Sequence, residues 1–176
     1  MKPKPKKFFH KIAYLGLLLS FAMIISYVEN IIPTFTFAPG IKLGLANGFI
    51  LLILYLYGPA EAVIINLTRI ILSSLLFGSM YSFLYSVTGA AFSLLIMILL
   101  YRKNEVFSPV GIGMLGGLFH NIGQILIAFL VTRLPGIIFY VPVLVVFGLA
   151  AGSVTGLLSK LLYPTLKKII KTEKGV

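Results

Sequence analysis

Between Lys11 and Lys160 the chain is a succession of apolar runs. Its only charged side chains in that stretch are Glu29, Lys42, Glu61, Arg69, Arg102, Lys103, Glu105 and Arg133. A helix needs about 20 apolar residues to cross the hydrocarbon of a bilayer, so six spans use about 120 and leave short loops and two tails. Only 11% of the 176 residues are charged and 59% are hydrophobic, whereas a soluble domain carries roughly a quarter charged. Mean hydropathy is +1.06. The expectation is an all-α membrane protein with six transmembrane helices over residues 12–162. Basic cytoplasmic tails would cover 1–11 and 163–176, with no second, soluble domain.

The net charge of +11 is distributed in a way that argues for a membrane rather than nucleic acid. Lys2, Lys4, Lys6, Lys7 and Lys11 precede the first run, Lys160, Lys167, Lys168, Lys171 and Lys174 end the chain, and Arg102 and Lys103 follow the fourth run. With the N-terminus inside, these lie in the cytoplasm, and only Lys42 and Arg133 fall in outside loops. That is the positive-inside bias, and it puts both termini in the cytoplasm of a multi-pass protein of the cell membrane. The tails would rest on anionic lipid headgroups. The lysines before the first run imitate a signal peptide, but no small-x-small cleavage site precedes Glu29, so the run reads as a span.

There is no Cys and no Asp. Disulfides, thiolate metal sites and a Cys nucleophile are excluded, and Asp-held magnesium–diphosphate chemistry has no ligands. No catalytic residues, metal site or cofactor are expected. Nor is there a Gly-x4-Gly-Lys-Ser/Thr phosphate loop, so any ATPase must be a separate chain.

The polar residues that remain inside the apolar runs carry the functional reading. Ionisable side chains at membrane depth are costly and face a cavity or one another. Glu29 and Asn30 end the first span. Lys42 and Asn47 open the second, read here as 41–57 after the Pro39-Gly40 turn, with Asn47 about 7 Å below Lys42. Arg69 lies about 13 Å below the outer end of the third span, on one face with Asn66 and Ser73. Glu61, in the first turn after Gly58-Pro59, suits the helix dipole and reads as structural. Tyr85 stands with Tyr81 and Thr88 as a cavity wall or an interfacial anchor. The fifth span carries His120, Asn121 and Gln124, continuing a stripe from Gly113 and Gly117 to Ala128. In the sixth, Gly148, Gly152 and Gly156 read as a packing face. The tail after Tyr163-Pro164 reads as a basic amphipathic segment on the inner membrane surface.

All the candidate binding residues fall in the outer half, which describes a cup open to the outside and not a pore. Lys42 and Arg69, with His120 when protonated, outweigh Glu29, favouring a ligand with an anionic group. The segment from Glu29 to Lys42, with Pro33, Pro39 and Gly40, would form a lid over the His120–Gln124 floor.

Several ordered motifs resemble one family. Tyr27-Val28-Glu29-Asn30, Pro39 through Asn47, Leu75-Leu76-Phe77-Gly78, Phe83-Leu84-Tyr85-Ser86 and His120-Asn121-Ile122-Gly123-Gln124 are similar to the Gx transporter family. Its members are often labelled heptaprenyl diphosphate synthase component I. That family resembles the substrate-binding S components of energy-coupling factor transporters, which are six-helix bundles. The resemblance implies a small-molecule substrate, a loop that closes over it, and a transmembrane coupling subunit with ATPases as partners. The Ala-x3-Ala docking motif of many S components is not kept: Leu17 stands four residues after Ala13, and Gly16-x3-Ser20 is the nearest substitute. Three readings follow: a substrate-capture subunit for uptake, a non-catalytic membrane subunit in heptaprenyl diphosphate synthesis, or a scaffold without ligand.

Overall fold

Helix boundaries fall where the sequence supplies caps and breakers. The computed structural model describes residues 5–31, 42–103 and 105–173. Its helices are α1 (Pro5–Ile31), α2 (Asn47–Tyr57), α3 (Pro59–Phe77), α4 (Met80–Tyr101), α5 (Pro109–Thr132) and α6 (Val141–Glu173), with a 3-10 segment at Pro135–Tyr140. Gly58, at φ 99°, ends α2 and lets Pro59 open α3 without an intervening loop. Ser79 and Ser108 cap α4 and α5, accepting from the backbone N–H groups of Ser82 and Gly111 at 3.2 Å each. Among the described residues there is no strand.

Large apolar side chains cover the exterior, and many of the polar ones are inside. Leu75 is 78% exposed and Phe139 82%, while Ser26, Arg69, Ser73, His120, Asn121 and Gln124 are all buried. An apolar exterior with the polar side chains turned inward is what a bundle solvated by lipid requires. Five helical segments are long and apolar enough to cross a membrane, namely Phe8–Ile31, Pro59–Phe77, Met80–Tyr101, Pro109–Thr132 and Pro135–Ile170. The protein is therefore a multi-pass membrane bundle.

The second segment differs from the expected span. A helix over 41–57 was anticipated, but α2 begins only at Asn47 and has 11 residues, or about 16 Å. Residues 42–44 are irregular, with Gly44 at φ +83°. The irregular backbone is tolerated because side chains of other helices satisfy it, as described below. What α2 lacks in length it makes up in burial. Ile50, Leu51, Leu52, Ile53 and Leu54 are consecutive and each at most 1% exposed, so α2 is the central post around which the long helices pack.

Side-chain contacts define the two ends of the bundle. Lys11 pairs with Glu61 and lies over the Tyr57 ring, and Tyr55 meets the rings of Tyr101 and Tyr163 at 5.1 and 5.6 Å. The start of α1, the end of α2 and the later part of α6 therefore share one end. At the other, Tyr27 packs on Phe77 at 5.1 Å. The glycines of α6 are a packing face, as expected, and their partners are the glycines of α5: a Cβ on Gly117 would lie 2.2 Å from the Gly148 carbonyl oxygen. Pro164 does not end α6, which runs through it to Glu173. The carbonyl that Pro164 leaves without its helical donor belongs to Lys160, and both residues are exposed, so solvent or headgroups can satisfy it.

Candidate functional site

The inward stripe of α1 is Leu18, Ala22, Ser26 and Glu29, spaced by three and four residues. It meets the stripe of Asn66, Arg69 and Ser73 on α3. Arg69 Nε and Nη2 donate to Asn66 Oδ1 at 3.2 and 2.8 Å, and Nη1 donates to Ser26 Oγ at 3.0 Å. Arg69 is thereby held between α1 and α3. Three of its five N–H groups make these bonds.

One turn on from Ser26, Glu29 Oε1 accepts the backbone N–H of Leu45 at 2.7 Å. Glu29 is within electrostatic reach of both Arg69 and Lys42. All three side chains are buried, and their formal charges are two positive and one negative.

The unwound stretch before α2 is pinned from the opposite side by α5. The Lys42 N–H donates to Gln124 Oε1 at 3.0 Å, and Gln124 Nε2 donates to the Lys42 carbonyl at 3.2 Å. A backbone N–H can only donate, so this bond fixes which end of the Gln124 amide is oxygen. Gln124 Nε2 also meets His120 Nε2. Since the amide nitrogen is a donor, His120 Nε2 accepts, and the imidazole is neutral with its proton on Nδ1. His120 therefore leaves the count of cations in which the sequence placed it. The ring is confined between two glycines: a Cβ on Gly44 would lie 2.8 Å from its Cδ2, and one on Gly89 of α4 would lie 2.8 Å from its Cε1.

α2 starts below this cluster and runs away from it, so the positive end of its dipole faces Glu29, Lys42 and Arg69. Asn47, its first residue, is 3% exposed and its Nδ2 has no hydrogen-bond partner.

The sequence candidates separate into two groups. Glu29, Lys42, Asn47, Arg69, His120 and Gln124 come together. Asn30, Tyr85 and Asn121 are turned elsewhere. Asn30 is exposed and donates to the Phe77 carbonyl, tying α1 to the end of α3. Tyr85 is buried with Ala128, Ile137 and Leu144. Asn121 donates to the Leu144 carbonyl of α6 at 2.7 Å. Ser26 and Asn66 belong to the cluster although neither was a candidate; each lies three residues before a charged member, and that spacing was the available signal. Most of the expected lid, residues 32–41, lies outside the described residues. Among those described, no group of three or more His, Cys, Asp or Glu could hold a metal ion.

The sequence profile of heptaprenyl diphosphate synthase component I matches residues 18–162, which contain every member of the cluster. The chain belongs to that family. No curated protein and no solved structure matches it. Within the component I match lie all of α2 to α5, while the first part of α1 and the end of α6 fall outside it.

Proposed function

We propose that this component I family member is a membrane substrate-binding subunit that captures a small anionic molecule for uptake, with energy supplied by a separate ATPase module. The observation that carries this reading is the buried cluster of Lys42, Arg69 and Glu29, with its excess of one positive charge. An uncompensated cation inside a membrane bundle is expensive, and a bound anion removes that cost. The dipole of α2 and the unpartnered Asn47 Nδ2 favour the same ligand charge. The reading is of a binder and not an enzyme: the one carboxylate of the cluster is engaged with a backbone N–H, and no second acid stands by it for acid–base work. We place six spans, both termini in the cytoplasm and the cluster toward the outside of the cell membrane, following the lysine distribution.

The family description favours a second reading, in which the chain is a non-catalytic membrane subunit associated with heptaprenyl diphosphate synthesis. Affinity purification from mild detergent separates the two. Co-purifying ATPase and coupling subunits support uptake, whereas a soluble prenyl transferase supports the second reading. Mass spectrometry of small molecules retained through that purification identifies the ligand, and the uptake reading requires an anion among them.

A further inference from the structure

Buried donors are left over in the cluster. Arg69 Nε and Nη2 donate to Asn66 and Nη1 donates to Ser26, out of the five N–H groups of a guanidinium. One N–H therefore remains on each terminal nitrogen of a side chain that is 4% exposed. Asn47 Nδ2 is likewise buried without a partner. A buried donor left unpaired is costly, so what the site lacks is an acceptor.

The charge of that acceptor is set by the ionisable side chains around it. With His120 neutral, these are Glu29, Lys42 and Arg69, whose formal charges sum to one positive. A proton passing from Lys42 to Glu29 would leave the sum unchanged, and Arg69 keeps its proton in either state. One unit of positive charge is thus unmatched whichever way that proton lies.

We infer that the ligand is a monocarboxylate, a small molecule with one carboxylate and no other charge, whose two oxygens meet the free N–H groups of Arg69. This rests on the anion-binding reading above and specifies its substrate class. A carboxylate carries one charge and offers a guanidinium two acceptor atoms in one plane. An amino acid, whose own charges cancel, leaves the positive charge of the cluster unmatched. A phosphate monoester or a diphosphate brings about two negative charges or more, and the surplus is as unwelcome in the bundle interior as the cation it replaced. Charge count therefore sets this ligand apart from the diphosphate of the family description.

The test uses the full-length protein in detergent, with apparent affinities taken from the rise in unfolding temperature at constant ionic strength. The probes are acetate, chloride, glycine and the dianion of methylphosphonate, which are small and differ in charge and shape. Acetate is expected to bind at least about tenfold more tightly than any of the others, because one uncompensated buried charge costs more than that ratio requires. Glu29→Gln keeps an acceptor for the Leu45 N–H and raises the formal sum to two positive, so methylphosphonate should gain at least about tenfold on acetate. Lys42→Met lowers the sum to zero while keeping the backbone groups that Gln124 holds, and should weaken acetate at least about tenfold. It serves if Glu29→Gln does not fold. Chloride, glycine or methylphosphonate binding as tightly as acetate, or an acetate preference that either variant leaves unchanged, overturns the monocarboxylate class and leaves the anion site standing. Absence of binding by every probe overturns both.

Discussion

Gln124 holds Lys42 by both of its backbone groups, accepting from the N–H at 3.0 Å and donating to the carbonyl at 3.2 Å. The side-chain amide does for this residue what a neighbouring strand would do. It lets the chain pass through the bundle interior without helix. Gln124→Glu keeps the size and the acceptor but loses both donors, leaving the Lys42 carbonyl unserved, while His120 can turn its Nε2 into a donor toward the new carboxylate. Each buried group left unpaired costs about 1–3 kcal/mol. Hydrogen exchange at Leu43 to Ala46 should accelerate at least about tenfold, measured by mass spectrometry in detergent. Unchanged protection would mean the Gln124 amide does not hold the unwound stretch.

Arg69 combines a charge with a bracing role between Ser26 and Asn66. Arg69→Gln removes the charge while keeping a polar side chain that can bond to Asn66. Loss of one partner of a buried charge pair costs about 2–5 kcal/mol, so anion affinity should fall about 30-fold or more with the protein still folded and inserted. If the variant aggregates while its surviving fraction binds normally, Arg69 is a brace and the anion is held elsewhere.

His120 has no room to move, because Gly44 and Gly89 each approach it too closely to carry a Cβ. Gly89→Ala should destabilise the protein by about 1–3 kcal/mol through overpacking, seen as a lower unfolding temperature. His120→Ala in the same chain should restore part of that loss, since the two residues touch and their effects are coupled. Simple additivity would mean that the strain is relieved by movement of α4 instead.

The contacts of Lys11 with Tyr57 and of Tyr55 with Tyr163 put the start of α1 and the later part of α6 at one end of the bundle. Reporter fusions at the two termini should therefore give the same signal, and the lysine distribution makes it a cytoplasmic one. Opposite signals would require an odd number of crossings, with α2 or another segment not traversing the membrane.

The long helices were legible because their signals are local: apolar runs of sufficient length, with Pro59, Ser79 and Ser108 marking their starts. The polar cluster was largely legible for a different reason. In a chain with so few charges, Glu29, Lys42 and Arg69 at membrane depth have few partners besides one another. What was not legible depended on contacts distant in sequence. Nothing in the apolar run 41–57 announces that the helix waits until Asn47; the side chains of Glu29 and Gln124 decide that. Glu29 and Asn30 are neighbours, yet one faces the interior and the other the Phe77 carbonyl, a difference set by the rotation of α1. Tyr85 lies deep but on the side of α5 and the 3-10 segment, where it packs with Ala128 and Ile137. The sixth span was taken to end at 162, before Tyr163-Pro164, whereas α6 continues through Pro164 to Glu173, because the carbonyl freed at Lys160 is exposed and can be satisfied from outside the bundle.

The separation of 82 residues between Lys42 and Gln124 also constrains how the protein is made. When the segment holding Lys42 leaves the ribosome, the amide that will satisfy its backbone has not yet been synthesised, and three further helices must follow before it is. Until then the unwound stretch has no partner from α5 and is poorly suited to lipid. The innermost piece of the bundle is therefore among the first to be synthesised and among the last to be secured. A nascent chain arrested before Gln124 should leave this stretch accessible to water-soluble labelling reagents, and synthesis through α5 should close it.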